Sequence, residues 1–116
     1  IDAYSAAAER RDAPAVLALA SQKYFDDAGT ADPSDDIDYG LLAQRIAADY
    51  AQITALRLDI GVRRIDVKNG RAAAYVFYEE HFRIQTKSGE ISKTASDPHR
   101  MQLVREDGRW KFVSGL

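Results

Sequence analysis

Leu56–Gly70 reads LRLDIGVRRIDVKNG, and the spacing of its apolar residues decides the fold. Leu56, Leu58, Ile60 and Val62 alternate with Arg57, Asp59, Gly61 and Arg63, the period of a strand with one buried face. The apolar set resumes one position late, at Ile65 and Val67. A β-bulge at Arg63-Arg64 absorbs the extra residue and leaves both arginine side chains in water. Asn69-Gly70 then supplies two residues that tolerate positive φ, the mark of a tight hairpin.

Two more such pairs come later, Ser88-Gly89 and Asp107-Gly108, so the second half reads as a four-stranded antiparallel meander. Centring each hairpin on its pair sets a register. Ile65 falls opposite Ala74 and Val67 opposite Ala72. Val76 falls opposite Met101 and Tyr78 opposite His99. Leu103 falls opposite Phe112, Arg105 opposite Trp110, Met101 opposite Ser114 and His99 opposite Leu116. The three turns agree on one buried face: Ile65, Val67, Ala74, Val76, Met101, Leu103, Trp110, Phe112 and Leu116. A slip of one residue would invert it. The same parity brings Tyr78, Glu80, Asp97 and His99 together on that face, with Glu80 opposite Asp97. The other face carries an apolar patch, Tyr75, Phe77, Val104 and Val113, beside Arg100 and Gln102, with His81 in water.

Residues 1–53 read as mainly helical. Ile1–Arg11 sets Tyr4, Ala7, Ala8 and Arg11 on one side. Asp12 caps a second helix from Ala13 to about Ala20, with Pro14 in its first turn. A brief strand is expected near 23–27. A third helix runs to about Gln52, with Leu42, Ile46, Tyr50 and Ile53 in one stripe. Between them lie six aspartates, Asp26, Asp27, Asp32, Asp35, Asp36 and Asp38. A calcium loop starting at Asp32 would need glycine sixth and glutamate twelfth, where Ile37 and Ala43 stand. The stretch therefore reads as a turn at Asp26-Asp27 and Gly29, then a helix start capped by Ser34, Asp35 or Asp36. No metal is expected there.

The 116 residues make a single domain. The absence of cysteine excludes disulfides and thiol chemistry. Residues 1–58 hold five basic and ten acidic side chains, a balance of −5; residues 59–116 hold eleven and eight, a balance of +3. The basic residues of the second half alternate with acidic ones, so no nucleic-acid partner is expected.

DAPAVLALAS (12–21), DYGLLAQRIA (38–47) and the closing DGRWKF hairpin (107–112) resemble the nuclear transport factor 2-like superfamily over nearly the whole chain. The resemblance implies an α+β domain, N-terminal helices packed on a curved meander in a cystatin-like cone, with residues 54–116 as the sheet. Such cones include pocket enzymes similar to ketosteroid isomerase and scytalone dehydratase, and also binding domains. It further implies a dimer through the patch Tyr75, Phe77, Val104 and Val113. It also implies a bacterial envelope lipoprotein, periplasmic and tethered upstream of Ile1, with a cytoplasmic protein as the alternative. No cofactor is implied.

Three functions compete. The leading one is a non-catalytic binding or assembly module, taking a small apolar molecule between Tyr24, Tyr78, His99 and Trp110. The second is an isomerase or dehydratase that moves a proton with His99, Asp97 or Glu80, while Tyr78 supports a developing oxyanion. The third is a structural domain whose cone is filled by its own side chains, Trp110 and Phe112 foremost.

Overall fold

The computed structural model describes residues 1–27, 34 and 36–116. Three helices, α1 (Asp2–Glu9), α2 (Ala13–Ala18) and α3 (Tyr39–Gln52), precede and pack on a four-stranded sheet. Its strands are β3 (Ile53–Lys68), β4 (Arg71–Thr86), β5 (Gly89–Glu106) and β6 (Arg109–Ser114), antiparallel in that order. β1 (Phe25–Asp26) and β2 (Ile37–Asp38) form the short extra pair. The architecture is the expected α+β one. No helix among the described residues is long and apolar enough to cross a membrane.

Asp12 caps α2, its Oδ1 accepting from Ala15 N–H at 3.1 Å, with Pro14 in the first turn. The cap of α3 is Asp38 rather than a residue at 34–36: its Oδ1 accepts from Leu41 N–H at 2.8 Å. Pairing of Ile37–Asp38 with Phe25–Asp26 keeps the backbone extended up to Asp38, which delays the helix. Gly29, Asp32 and Asp35 lie outside the described residues.

The first hairpin is as read, with Asn69 at φ 51° and Gly70 at φ 74°, and Ile65 and Val67 opposite Ala74 and Ala72. The bulge falls at Arg63, between the pairs Val62–Val76 and Arg64–Tyr75. The second hairpin closes one position earlier than its glycine suggests. Thr86 pairs with Gly89, so the loop is Lys87-Ser88, and Gly89 uses its positive φ of 112° as the first strand residue. The Thr86 hydroxyl holds this turn, donating to Gly89 O and accepting from Ser88 N–H. Partners on β4 and β5 therefore shift by two, which preserves the face and changes the neighbour. Tyr78 sits opposite Asp97, Glu80 opposite Ala95, and Val76 opposite His99. The third hairpin holds for Leu103–Phe112, after which Gln102 pairs with Ser114. Val113 is extra there, and neither Met101–Ser114 nor His99–Leu116 forms.

The core also departs from the expected face. Ala74, Val76, Met101 and Phe112 are buried under Ile1, Tyr4 and Leu19. Ile65, Val67 and Trp110 remain 53%, 62% and 40% exposed. Strands of 16 to 18 residues run to more than about 50 Å, whereas α3 spans about 21 Å and α1 about 12 Å. Two short helices cannot cover the whole concave side, so its hairpin end stays in solvent. A second cluster, Ala20, Tyr24 and Leu42, joins the first through Leu116, which touches both.

Candidate binding cavity

A cavity of about 350 Å³ lies between the helices and the concave face of the sheet. α1 contributes Tyr4 and Ala8, and α3 contributes Ile46, Asp49 and Tyr50. The sheet contributes Leu56, Leu58 and Ile60 from β3, Tyr78 and Glu80 from β4, and His99 and Met101 from β5. Gly115 and Leu116 close one end. Most of this surface is apolar; Tyr4, Asp49, Tyr50 and Tyr78 stand near Glu80, and Arg45 and His99 are the other charged or titratable groups on the wall.

Three of the four residues of the expected cross-strand group reach the cavity: Tyr78, Glu80 and His99. Asp97 does not line it and is exposed. The diagonal Tyr78 and His99 rings meet edge to face, with centroids 5.8 Å apart at 90°. His99 Nε2 lies 2.6 Å from Gly115 O, so that nitrogen carries the proton and donates. In the neutral ring Nδ1 is then the acceptor. The partner of His99 is a carbonyl and not a carboxylate.

Burial raises the Glu80 carboxyl above its ordinary 4.5, and the Asp49 charge raises it further. Three phenols stand near. Tyr50 is pushed up to about 12 by burial, then by Glu80 and Asp49. Tyr4 is raised by burial and by the charges of Tyr50 and Glu80, and Tyr78 by burial, Asp97 and Glu80. All three keep their protons at neutral pH and stand ready to donate.

A raised carboxyl makes the native state bind its proton more tightly than the unfolded chain. Stability therefore falls as pH rises from 4.5 through the folded value. Glu80→Gln removes this fall. The variant should gain on the wild type as pH is raised above 4.5, read in denaturant midpoints, and a pH-independent difference would refute the assignment.

Tyr24 and Trp110 do not line the cavity. Tyr24 lies behind it, fully buried, its hydroxyl accepting from Leu116 N–H at 2.9 Å, so it seats the residue that closes the cone. Trp110 is partly exposed and belongs to neither buried cluster. Gly115 is a wall residue that no pattern marked, whereas Tyr4, Tyr50 and Leu116 are wall residues that pattern reading assigned to packing. Each sits on an apolar stripe or face, and nothing in spacing separates a core tyrosine from one beside a void.

On the convex face, Tyr75, Phe77, Val104 and Val113 are half-buried. Arg64 and Arg100 lie over the Tyr75 ring at 4.4 and 5.7 Å, and Arg63 over Phe77 at 5.4 Å. The bulge arginines thus lie over the aromatic patch while staying exposed to water. His81 is exposed beside Glu79 and Thr94.

No protein-family model and no curated protein sequence matches the chain. Solved structures do. A protein from Novosphingobium aromaticivorans described as a candidate scytalone dehydratase superposes with TM-score 0.81 at 13% identity, over 97% of this chain and 73% of that one. Kfla4162 from Kribbella flavida gives 0.79 at 11% identity, over 98% and 81%. A candidate dehydratase of the NTF2-like family from Streptomyces avermitilis gives 0.71 at 15% identity, over 98% and 87%. The chain has the nuclear transport factor 2-like cone fold. At such identities the likeness is one of fold alone.

Proposed function

We propose that this protein is a small-molecule binding module whose cone takes one compact, largely apolar ligand. The carrying observation is the cavity of about 350 Å³, apolar on most sides, with a polar group at one wall. Pockets of this size suit small ligands, and a few convergent polar groups orient them. Leu58, Ile60 and Met101 would hold the hydrocarbon body, while Glu80 and the tyrosine hydroxyls would meet a carbonyl or hydroxyl group. An envelope location and a tether upstream remain part of this reading through the family resemblance, and fractionation of cells expressing the full-length protein tests them.

Proton transfer is the second reading, favoured by the raised Glu80 carboxyl beside three phenols. Glu80, rather than His99 or Asp97, would then take the proton.

One experiment addresses both. A panel of cyclic ketones and alcohols in D2O is followed by ligand-observed NMR, with wild type and an Ile60→Trp variant that fills the void. Saturation transfer lost in Ile60→Trp supports binding in the cone. No transfer with any ligand at millimolar concentration defeats the binding reading. Deuterium incorporation next to a ketone carbonyl that vanishes in Glu80→Gln would replace it with the catalytic one.

A further inference from the structure

We propose that the convex face of the sheet carries a second site, which binds an extended acidic segment of a partner protein. An open groove of about 480 Å³ runs beside the first hairpin, bounded by Lys68, Arg71 and Arg100. Ala73, Val104 and Val113 form its apolar floor.

Charge is the first argument. Of the acids on this face, Asp66 is taken by Arg64 at 3.2 Å and Asp59 by Arg57 at 3.3 Å. Among the described residues, no carboxylate lies within 4.0 Å of the Lys68, Arg71 or Arg100 head groups. The groove, whose wall also includes the Arg64-paired Asp66, therefore presents three cations with no carboxylate partner among the described residues, in a protein whose overall charge is −2.

Preorganisation is the second. Stacking of Arg64 and Arg100 on Tyr75 limits their rotamers before any partner arrives. A guanidinium fork held in place gives up less entropy on meeting a carboxylate.

Spacing is the third. Arg71 stands opposite Val104, and Arg100 lies four residues along β5 from Val104, about 13 Å at strand rise. An extended peptide repeats its side chains on one face at about 7 Å, so acids at i and i+4 match Arg71 and Arg100. A residue at i+2 would fall over Ala73 and Gln102, beside Val113. The groove is too open to enclose a small molecule. Asp59 and Glu79, paired across the same face, would repel a continuous phosphate backbone.

The test uses a fluorescein-labelled peptide of alternating glutamate and valine, with a lysine–valine control, read by fluorescence anisotropy. Binding of the acidic peptide alone is expected, weakening about tenfold from low to high salt. Arg71→Gln and Arg100→Gln should each weaken it about fivefold or more, and Arg83→Gln, at the far end of the sheet, should not. Tyr75→Leu keeps every charge and should still weaken binding by freeing both arginines. No acidic-peptide binding at millimolar concentration would overturn the proposal. So would tighter binding of single-stranded DNA or anionic phospholipid vesicles through the same arginines. Concentration-dependent dimerisation abolished by Phe77→Glu would assign the face to a second copy and overturn it equally.

Discussion

Replacing Gly115 with alanine should destabilise the protein by roughly 2–5 kcal/mol. Two costs combine. Gly115 holds φ at 90°, where a side chain is strained. A Cβ there would collide with the Arg100 carbonyl oxygen and lie 2.8 Å from Met101 Cα, both backbone atoms that a rotamer change cannot move. Nor is escape cheap. Gly115 N–H donates to Asp26 Oδ2 at 3.0 Å, its carbonyl accepts from His99, and Leu116 N–H donates to Tyr24. Peeling the end away would break these bonds, strip Leu116 from both clusters and open the cavity. Urea unfolding reads the effect as a lower midpoint at unchanged slope. A loss below about 0.5 kcal/mol, the level of an ordinary surface substitution, would show that the terminal segment is not clamped as described.

Phe112→Ala should cost about 3–5 kcal/mol, a large part of the roughly 5–15 kcal/mol typical of a domain. Phe112 is 3% exposed, and its ring packs at 58° on Tyr4, centroids 5.8 Å apart. Its backbone receives the chain leaving α2: Phe112 N–H donates to Leu19 O at 2.9 Å, and Ser21 N–H to Phe112 O at 2.8 Å. The backbone bonds survive substitution, so the loss comes from the cavity left in the core and should leave the fold intact. Trp110→Ala is the contrast. It lies two positions away on the same side of β6 but is 40% exposed, and should cost about 1 kcal/mol or less. Equal losses at 110 and 112 would mean the hairpin end is covered in solution.

That contrast marks where sequence reading stopped. Alternation assigned Trp110 and Phe112 to one face, correctly, because a strand has no other way to place them. It could not say how far the helices reach, since coverage depends on helix length, crossing position and Leu19–Ser21 joining the edge of β6. The middle hairpin shows the same limit at smaller scale. Gly89 announced a turn, but either the loop or the first strand position can use its positive φ, and the Thr86 hydroxyl chose the strand. Face survived that shift of two while every neighbour changed. Tyr78 and His99 thus meet diagonally, and Glu80 lost Asp97 as a partner.

Local periodicity was enough to dictate a helical first half, the four-strand meander, the bulge at Arg63, and Tyr78, Glu80 and His99 on one face. Packing between distant segments was needed to leave Asp97 outside the cone, to gather Tyr4 and Tyr50 around Glu80, and to seal the end with Gly115–Leu116. A period reports which way a side chain points. Whether it then meets a helix, a void or water depends on residues far along the chain, and local spacing carries no information about those.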